Sequence, residues 1–304
     1  MKKISIIIAT YNRWESLLIT LGSVATQDLP PEQWECVVVN NNSTDRTQQA
    51  AEEFAAAHPH LDFKVLFESR QGLSWARNCG IEGSCGEIVA IIDDDEIINE
   101  EFASSYLKLF EDYPQATSAG GVIIPRYTSG RPKWMSHYTE LPIANPLFLG
   151  SNPREFPKGK IPGGGNMAIR RTALQRYGTF DVELGRTAGK LIGGEESDLF
   201  ERLSRGGEQC WYCPTAIMWH IIPPEKLTLE YFDNLTYNIG VSQRLRAQIS
   251  GRGFAVAEIA KWCATLPLAL LYLVQLNGPK SLRLLRLRWN ISRGLFATQR
   301  PVEQ

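Results

Sequence analysis

The 304-residue sequence lacks an excess of charge of either sign. Its 32 Lys and Arg residues are balanced by 33 Asp and Glu residues, which gives a formal net charge of −1. Proteins that attract nucleic acid through a broad field carry a strong positive excess. Hydrophobic residues make up 43% of the chain, enough for one large globular domain with an appendage. The composition therefore predicts a globular protein whose partners do not include nucleic acid.

The cysteines lack the context that a disulfide framework or a zinc site needs. Six cysteines are present, and no secretory signal precedes them, because the apolar run from Ile4 to Ala9 follows only two lysines and lacks a cleavage site. We therefore expect reduced thiols in the cytoplasm. Cys210 and Cys213 form one CxxC without the second pair that zinc prefers. We interpret that pair as two thiols on a strand.

The C-terminal part lacks acidic residues and a long apolar run. Between Ile259 and Val302 there is no acid, and the basic residues are Lys261, Lys280, Arg283, Arg286, Arg288, Arg293 and Arg300. The most apolar stretch, Cys263 to Leu276, contains Pro267 and is short for a bilayer span. On a helical wheel, three arginines share one face and leucines another. This pattern predicts attachment to a membrane surface, with a packed helical subdomain or a dimer contact as the alternative.

The first half of the sequence alternates strand and helix patterns. Apolar runs at 3–10, 34–39, 63–67, 87–92 and 119–125 are typical of buried strands, and helical patterns lie between them. This order predicts an α/β fold with a mostly parallel sheet flanked by helices. In such sheets, ligands bind beyond the carboxyl ends of the strands.

An acidic run follows the fourth predicted strand. Asp93, Asp94, Asp95 and Glu96 come directly after the apolar residues 89–92. Like charges at this spacing raise one another's pKa, and a hard divalent cation removes that cost. A solvated turn that caps the next helix is the alternative, and this stretch alone does not decide between them.

Six motifs in order resemble inverting glycosyltransferases of family 2, which have the GT-A (Rossmann-like) fold. They are SIIIATYNR, VVVNNNSTD, QGLSWARN, IIDDDE, PGGGNMAIRR and GGEESDLFERL. Together they extend over roughly residues 1–222, and their order makes the resemblance specific. It implies a catalytic domain over residues 1–226 and a helical C-terminal extension over 227–304.

The resemblance assigns roles in binding the donor nucleotide sugar. The residues concerned are Thr10, Tyr11, Arg13, Asn41, Asn42, Arg77, Asp93, Asp94, Gly164, Gly165 and Asn166. Tyr11 would pack on the base, and Asp93 would accept hydrogen bonds from the ribose. Asn41 and Asn42 stand where family members usually carry an aspartate, which leaves the identity of the donor's nucleotide base open. The glycines would let the backbone approach the sugar and the diphosphate.

The resemblance also assigns a metal and a base. Asp95 would reach Mn²⁺ or Mg²⁺ at the diphosphate, and His220, after an apolar strand, is a second ligand or a structural histidine. Glu196 occupies the position of the catalytic base, where aspartate is usual, and Glu195 is the second candidate. The residues Gly193-Gly194 before them allow a sharp turn.

These motifs predict a metal-dependent inverting glycosyltransferase. We expect a UDP-linked sugar as donor and a glycan or lipid-linked hydroxyl as acceptor, in cell-surface polysaccharide synthesis at the inner face of the cell membrane. A catalytically silent, sugar-nucleotide-binding scaffold is the alternative, and the oligomeric state stays open. A sugar-phosphate nucleotidyltransferase would need a Gly-rich basic loop after the first strand, and residues 9–13 lack one.

Overall fold

The computed structural model describes residues 2–186, 193–250 and 253–297. The strands are β1 (Ile4–Thr10), β2 (Trp34–Asn40), β3 (Phe63–Phe67), β4 (Ile88–Asp93), β5 (Glu96–Ile98), β6 (Ala116–Tyr127), β7 (Arg154–Glu155), β8 (Met167–Arg170) and β9 (Gln209–Ile222). The α-helices are α1 (Trp14–Val24), α2 (Thr47–Ala57), α3 (Leu73–Gly83), α4 (Phe102–Asp112), α5 (His137–Ala144), α6 (Arg171–Tyr177), α7 (Glu195–Arg205), α8 (Leu229–Ser250), α9 (Ala255–Val274) and α10 (Gly278–Phe296).

The chain forms two compact units. The first contains the described residues of Met1–Arg126, Pro146–Ala188 and Glu195–Ile221, and the second contains those of Tyr127–Asn145, Gly189–Gly194 and Ile222–Gln304. The sheet belongs to the first unit and helices α8, α9 and α10 to the second. The helical unit therefore also contains α5, which lies in a segment whose sequence has no clear helical or strand periodicity.

The strands of the described chain join in the order β3-β2-β1-β4-β8-β6-β9-β5, with β7 paired to β9. The pairs among β3, β2, β1 and β4 are parallel. Beyond β4 the pairing turns antiparallel, first to β8 and then between β8 and β6 and between β9 and β5. An apolar run predicts a strand but not its direction, so the sequence did not reveal this antiparallel half. The predicted α/β fold is confirmed, and its parallel half carries the polar strand ends.

Both faces of the parallel half are covered by helices. On β1, Ile6 and Ile8 join one apolar cluster and Ile7 the other, and all three are fully buried. A strand buried on two faces needs no polar alternation, which explains the unbroken apolar run. On the second face α3 lies so close that a Cβ on Gly80 would overlap Ile7. This packing positions α3, and with it Arg77, beneath the strand ends.

The helical unit has its own apolar core, to which Phe232, Leu284 and Ile291 contribute. Helices α8 and α10 approach closely through two glycines. A Cβ on Gly240 would meet the carbonyl oxygen of Ile291, and one on Gly294 would overlap the backbone of α8. Removing the Cβ lets the two backbones touch, so these glycines set the spacing of the pair.

Helix α9 is the one helix among the described residues that is long and apolar enough to cross a membrane by length and composition. It has 20 residues, and its most apolar window has a mean hydropathy of 1.4. The sequence analysis judged residues 263–276 too short for a span. The helix begins earlier, at Ala255, so that argument from length does not hold.

Candidate active site

The loops that follow β1 and β2 are tied together by Asn12. Its side-chain oxygen accepts a hydrogen bond from the backbone N–H of Thr44 at 2.8 Å, and its own N–H donates to the Ser43 hydroxyl at 2.9 Å. Asn12 and Asn42 both have left-handed backbones, with φ of 51° and 61°, a conformation that asparagine tolerates well. Tyr11 is half-buried and Asn42 exposed, so both are accessible at this edge.

Asn41 is buried and its amide is used within the protein. Its Nδ2 donates to the backbone oxygens of Glu68 and Arg70 at 3.1 and 2.7 Å, and its Oδ1 accepts from the N–H of Gly72 at 2.8 Å. The Asn41 amide is thus used within the protein, and its expected role in reading a base stays a prediction. Its position holds the loop before α3 against the end of β2.

Arg13 and Thr10 surround the carboxylates of Asp94 and Asp95. The Thr10 hydroxyl donates to Asp94 at 2.8 Å, and Nη1 of Arg13 lies 3.0 Å from an oxygen of each aspartate. Burial raises the pKa of Asp94 to about 6 although Arg13 opposes the shift. The attraction of Asp94, and then of Asp95, raises the pKa of Arg13. Arg13 thus supplies positive charge at the acidic run.

Arg77 joins the acidic run to the two glutamates at the start of α7. Its guanidinium is fully buried and lies 2.9 Å from Asp93, 3.3 Å from Glu195 and 3.0 Å from Glu196. It also donates to the carbonyl oxygen of Gly164 at 3.3 Å. Burial alone would lower the pKa of Arg77, but the three carboxylates outweigh it and raise the pKa. Arg77 is buried and contacts the acidic run through Asp93, and its expected role toward a nucleotide stays a prediction.

Glu195 and Glu196 have different environments although they are adjacent. Glu195 is buried, and its Oε2 has no hydrogen-bond partner. Burial, and then the charge of Glu196, raise the pKa of Glu195 to about 8, while Arg77 opposes the shift. One guanidinium cannot balance three carboxylates, so the most buried acid keeps its proton at neutral pH. Glu196 is half-buried and within reach of solvent.

Two glycines make room for carboxylates. A Cβ on Gly164 would overlap Oε1 of Glu196, and one on Gly165 would overlap the carboxylate of Glu96. Glu96 is buried and accepts from the N–H of Asp93 at 2.8 Å. The glycine-rich loop thus lies against acids of the site. This contact gives a second reason for these glycines beside the expected approach of a donor.

Asn166 is fully buried, and its amide bonds to the protein interior. Its Nδ2 donates to the carbonyl oxygens of Val122 and Ala216 at 2.9 and 3.2 Å, and its Oδ1 accepts from the hydroxyl of Tyr106 at 2.5 Å. The expected contact of Asn166 with the donor stays a prediction. The residue fastens the loop to strands β6 and β9.

Asp95 and His220 are brought side by side by the pairing of β5 with β9. The backbone N–H of Ile221 donates to the Asp95 carbonyl oxygen at 2.9 Å, and Nε2 of His220 lies 3.7 Å from Oδ1 of Asp95. Within the described residues no group of three or more His, Cys, Asp or Glu side chains has metal-binding geometry. One carboxylate and one imidazole fit a divalent cation that takes its other ligands from a diphosphate and water.

Comparison with known proteins shows the family of this chain. A family model described as glycosyl transferase family 2 matches residues 5–178, more than half of the chain. The chain belongs to glycosyl transferase family 2. The matched part includes β1 through α6 and therefore the acidic run, Arg77 and the glycine-rich loop. This glycosyltransferase also has relatives and structural neighbours that match over most of its length.

Two relatives match most of the chain. The glucosyl-dolichyl phosphate glucuronosyltransferase of Haloferax volcanii is 24% identical over 252 residues, which cover 80% of this chain and 77% of the relative. The succinoglycan biosynthesis protein ExoM of Rhizobium meliloti is 27% identical over 248 residues, which cover 78% and 72%. Both are more than short local similarities.

A solved structure matches the fold of nearly the whole chain. It is the mannosyltransferase PcManGT from Pyrobaculum calidifontis in complex with GDP-Man and Mn²⁺, with a TM-score of 0.59 at 20% identity. The match covers 98% of this chain and 89% of that one. At this identity the likeness establishes the fold, which is GT-A as expected.

The contacts of Arg77 with Glu195 and Glu196 in this glycosyltransferase were not predicted from the sequence. A signal was present, because Ser74, Arg77 and Ile81 recur at helical spacing on the buried face of α3. A charged residue on an apolar helix face is rarely buried without charged partners. That pattern predicts an internal ion-pair network, although it does not name the partners.

The raised pKa of Glu195 predicts how stability depends on pH. Between its ordinary value of 4.5 and about 8 the folded state keeps a proton that the unfolded state releases. Stability from this group is therefore present below pH 4.5 and is lost as the pH rises toward 8. Glu195→Gln should remove this part of the decline, a few kcal/mol at most. Urea unfolding at pH 5, 6, 7 and 8 measures it.

The control for this prediction is Glu201→Gln, which changes another carboxylate on the same helix α7. Its oxygen pairs with Arg205 at 2.8 Å near the surface. The difference in unfolding free energy between Glu201→Gln and the unmutated protein should stay constant across the pH series. If Glu195→Gln and the unmutated protein decline in parallel, Glu195 is ionised in the folded state and the prediction is wrong.

Proposed function

We propose that the protein is a metal-dependent, inverting glycosyltransferase that moves a sugar from a nucleoside diphosphate to an acceptor hydroxyl. The observation that carries the proposal is the contact of Arg77 with Asp93 on one side and Glu196 on the other, at 2.9 and 3.0 Å. The buried guanidinium of Arg77 thereby connects Asp93, the proposed ribose ligand, to Glu196, the proposed base. Both lie at the carboxyl-end edge of the parallel strands, where ligands bind.

Glu196 is the proposed base. It takes the proton of the acceptor hydroxyl as that oxygen bonds to the anomeric carbon, while the bond from this carbon to the diphosphate oxygen breaks. Attack opposite the leaving group inverts the configuration of the sugar. Glu195, which keeps its proton, cannot do this at neutral pH. The accessibility of Glu196 in the described structure supports this assignment over Glu195.

Asp95 and His220 are the residues that would hold a divalent cation. When bound, such a cation neutralises charge on the diphosphate and so makes it a better leaving group. The binding of Mn²⁺ by the PcManGT structure supports this proposal. Arg13 adds a second positive charge, 3.0 Å from Asp95, and is positioned to assist with the same phosphates.

Metal dependence predicts the behaviour of Asp95→Asn. In the unmutated protein, UDP should bind with Mn²⁺ and at least roughly tenfold more weakly with EDTA, a change of about 1.4 kcal/mol. The variant should bind weakly in both conditions, because the amide is a poorer ligand for a hard cation. Isothermal titration calorimetry with UDP measures these affinities. The same titration with GDP shows which nucleotide base the protein prefers.

The matched control for Asp95→Asn is Asp112→Asn, which removes a surface carboxylate that pairs with Lys108 on α4. Its binding should equal that of the unmutated protein. Equal affinity of the unmutated protein with Mn²⁺ and with EDTA would contradict the metal proposal. Loss of binding in Asp112→Asn would show that the assay responds to unspecific charge.

The acceptor class and location are proposed from the relatives. One relative is named for a dolichyl phosphate substrate and the other for succinoglycan biosynthesis. We propose a glycan or lipid-linked acceptor in cell-surface polysaccharide synthesis, with the protein at the inner face of the cell membrane. Transfer of radiolabelled sugar into a lipid-extractable or a polymeric fraction of cell membranes distinguishes the two acceptor types.

A further inference from the structure

Helix α9 has the reverse of the polarity expected for a helix on a water-soluble surface. Its single carboxylate, Glu258, is buried and accepts from Arg288 at 2.9 Å and from the Ser292 hydroxyl at 2.6 Å. Thr265 is also buried. Surface helices normally turn such residues outward and bury apolar ones. Here Glu258 and Thr265 face the protein beside Trp262, Leu268, Ala269 and Tyr272, while the exposed side is apolar apart from Lys261.

The outward side of α9 is a broad apolar surface. Its exposed residues are Ala255, Val256, Ala257, Ile259, Ala260, Cys263, Ala264, Leu266, Pro267, Leu270, Leu271, Leu273 and Val274. At 100° per residue these positions occupy about 200° of the helical wheel. Lys261 is the one exposed charge in Ala255–Val274, a range that the structure describes completely. Leu276, which is 93% exposed, extends the surface past the helix end.

We propose that α9 lies in the interfacial layer of a lipid bilayer, with this apolar surface in the hydrocarbon. The inference deepens the proposed location at a membrane and does not depend on the proposed reaction. A partner helix or a second copy of the chain would cover a stripe of about 100° and leave the rest in water. Lipid covers an arc of any width. The exposed surface carries no acid, and Lys261 at its edge suits lipid phosphates.

The contacts of α9 with α10 favour an in-plane helix over a spanning one. The two run antiparallel, joined by the Glu258–Arg288 pair, by Trp262 donating to Ser292 at 2.9 Å, and by Ser281 donating to the carbonyl oxygen of Ala269 at 2.8 Å. A spanning α9 would carry α10 into the hydrocarbon. The arginines of α10 are Arg283, Arg286, Arg288 and Arg293, and arginine is costly there.

Attachment should be apolar more than electrostatic, unlike the expectation from the basic composition of this region. Arg286 pairs with Asp233 at 3.2 Å, Arg283 lies 3.9 Å from the same carboxylate, and Arg288 is held by Glu258. Arg300 lies outside the described residues. Charges that are paired within the protein attract lipid headgroups weakly. Binding should therefore survive high salt, which screens exposed charges.

Two native cysteines report on the proposal without any mutation. Cys263 lies within the apolar surface of α9, and Cys85 is exposed in the sheet unit. The full chain is treated with a charged, membrane-impermeant maleimide, with and without phosphatidylcholine vesicles, at 0.1 and 1 M NaCl. Labelling is then quantified for each cysteine peptide by mass spectrometry. Vesicles should slow the labelling of Cys263 at least tenfold at both salt concentrations and leave Cys85 unchanged.

Vesicle flotation of variants tests the same surface. Leu270→Glu with Val274→Glu places two carboxylates on exposed positions of α9 and should abolish flotation. The control Ile19→Glu changes an equally exposed apolar residue on α1 and should float like the unmutated protein. Both changes are at the surface, so circular dichroism should show the folded state in each.

The depth of Cys263 separates an in-plane helix from a spanning one. Cys263 lies near the middle of α9. In the Cys85→Ser protein a fluorophore on Cys263 should be quenched more by lipids brominated near the headgroup than by those brominated near the bilayer centre. The reverse order would overturn the in-plane helix.

Three other results would also overturn the proposal. The first is equal labelling of Cys263 with and without vesicles. The second is binding to anionic vesicles only, if 1 M NaCl removes this binding and the variant Leu270→Glu with Val274→Glu retains it. The third is protection of Cys263 without vesicles, together with a dimer by light scattering that the double variant loses, because a second copy would then cover α9. None of these readouts involves sugar transfer, so each is independent of the proposed reaction.

Discussion

Glu196→Gln is expected to lower sugar transfer by about 10²–10⁴-fold, the usual contribution of a general base, and to leave donor binding unchanged. The amide keeps the shape of the side chain but cannot accept the proton of the acceptor hydroxyl. Glu196 is within reach of solvent, whereas its neighbour Glu195 is buried. Turnover with saturating donor and calorimetric binding of the nucleoside diphosphate measure the two effects separately.

Glu195→Gln is the decisive comparison for this prediction. Because the pKa of Glu195 is raised to about 8, its carboxyl is neutral at pH 7, and glutamine copies that state closely. Most of the activity should remain. Glu201→Gln on the same helix should behave like the unmutated enzyme. If Glu196→Gln turns over normally and Glu195→Gln does not, the base is misassigned by one residue.

Arg77→Met is expected to cost about 3–5 kcal/mol of stability at pH 8, because removing one member of a buried ion-pair network leaves its partners uncompensated. Three carboxylates lie within 3.3 Å of the guanidinium, and it is fully buried. The loss should be smaller at pH 5, since Glu195, whose pKa is raised to about 8, is then protonated and leaves one negative charge fewer beside the missing guanidinium. Urea unfolding at the two pH values, followed by circular dichroism, measures the difference.

Arg70→Met is the matched control for Arg77→Met. Arg70 lies before the same helix and pairs with Glu68 at 2.7 Å, but its side chain is 58% exposed. Solvent screens the charge of Arg70, so the variant should lose much less stability than Arg77→Met at both pH values. Equal losses in the two variants would mean that Arg77 does not hold the carboxylates against one another.

Much of the parallel half of the sheet follows from local patterns. The predicted strand 63–67 has the same bounds in the structure, as β3, and helix α2 lies between β2 and β3 where a helical pattern was expected. These elements have strong local signals, such as β-branched or aromatic runs and Ala-Glu-Gln periodicity. The direction of β6, β8 and β9 has no local signal, because pairing joins residues distant along the chain. One example is Ser118 on β6, which pairs with Ile169 on β8.

The candidate site shows the same division between sequence and tertiary structure. By itself the sequence determined the motifs, and with them the family, the acidic run at a strand end and the adjacent glutamates at the start of α7. It did not distinguish exposed residues of the motifs from buried ones, and Arg77, Asn41 and Asn166 are buried. Burial and partner choice are properties of packing, and residues up to 119 positions apart meet at Arg77.

In the C-terminal unit, tertiary structure more than sequence decided which residues are exposed. Composition determined that the tail is basic, apolar and without acids beyond Glu258 as far as Val302. Only the packing of α9 against α10 decided which of those residues are available. It turned Glu258 inward, paired Arg288 with it and left the leucines of α9 exposed. The physical reason is that a helix of given composition presents whichever face its neighbours leave uncovered, and the neighbours are set by the fold.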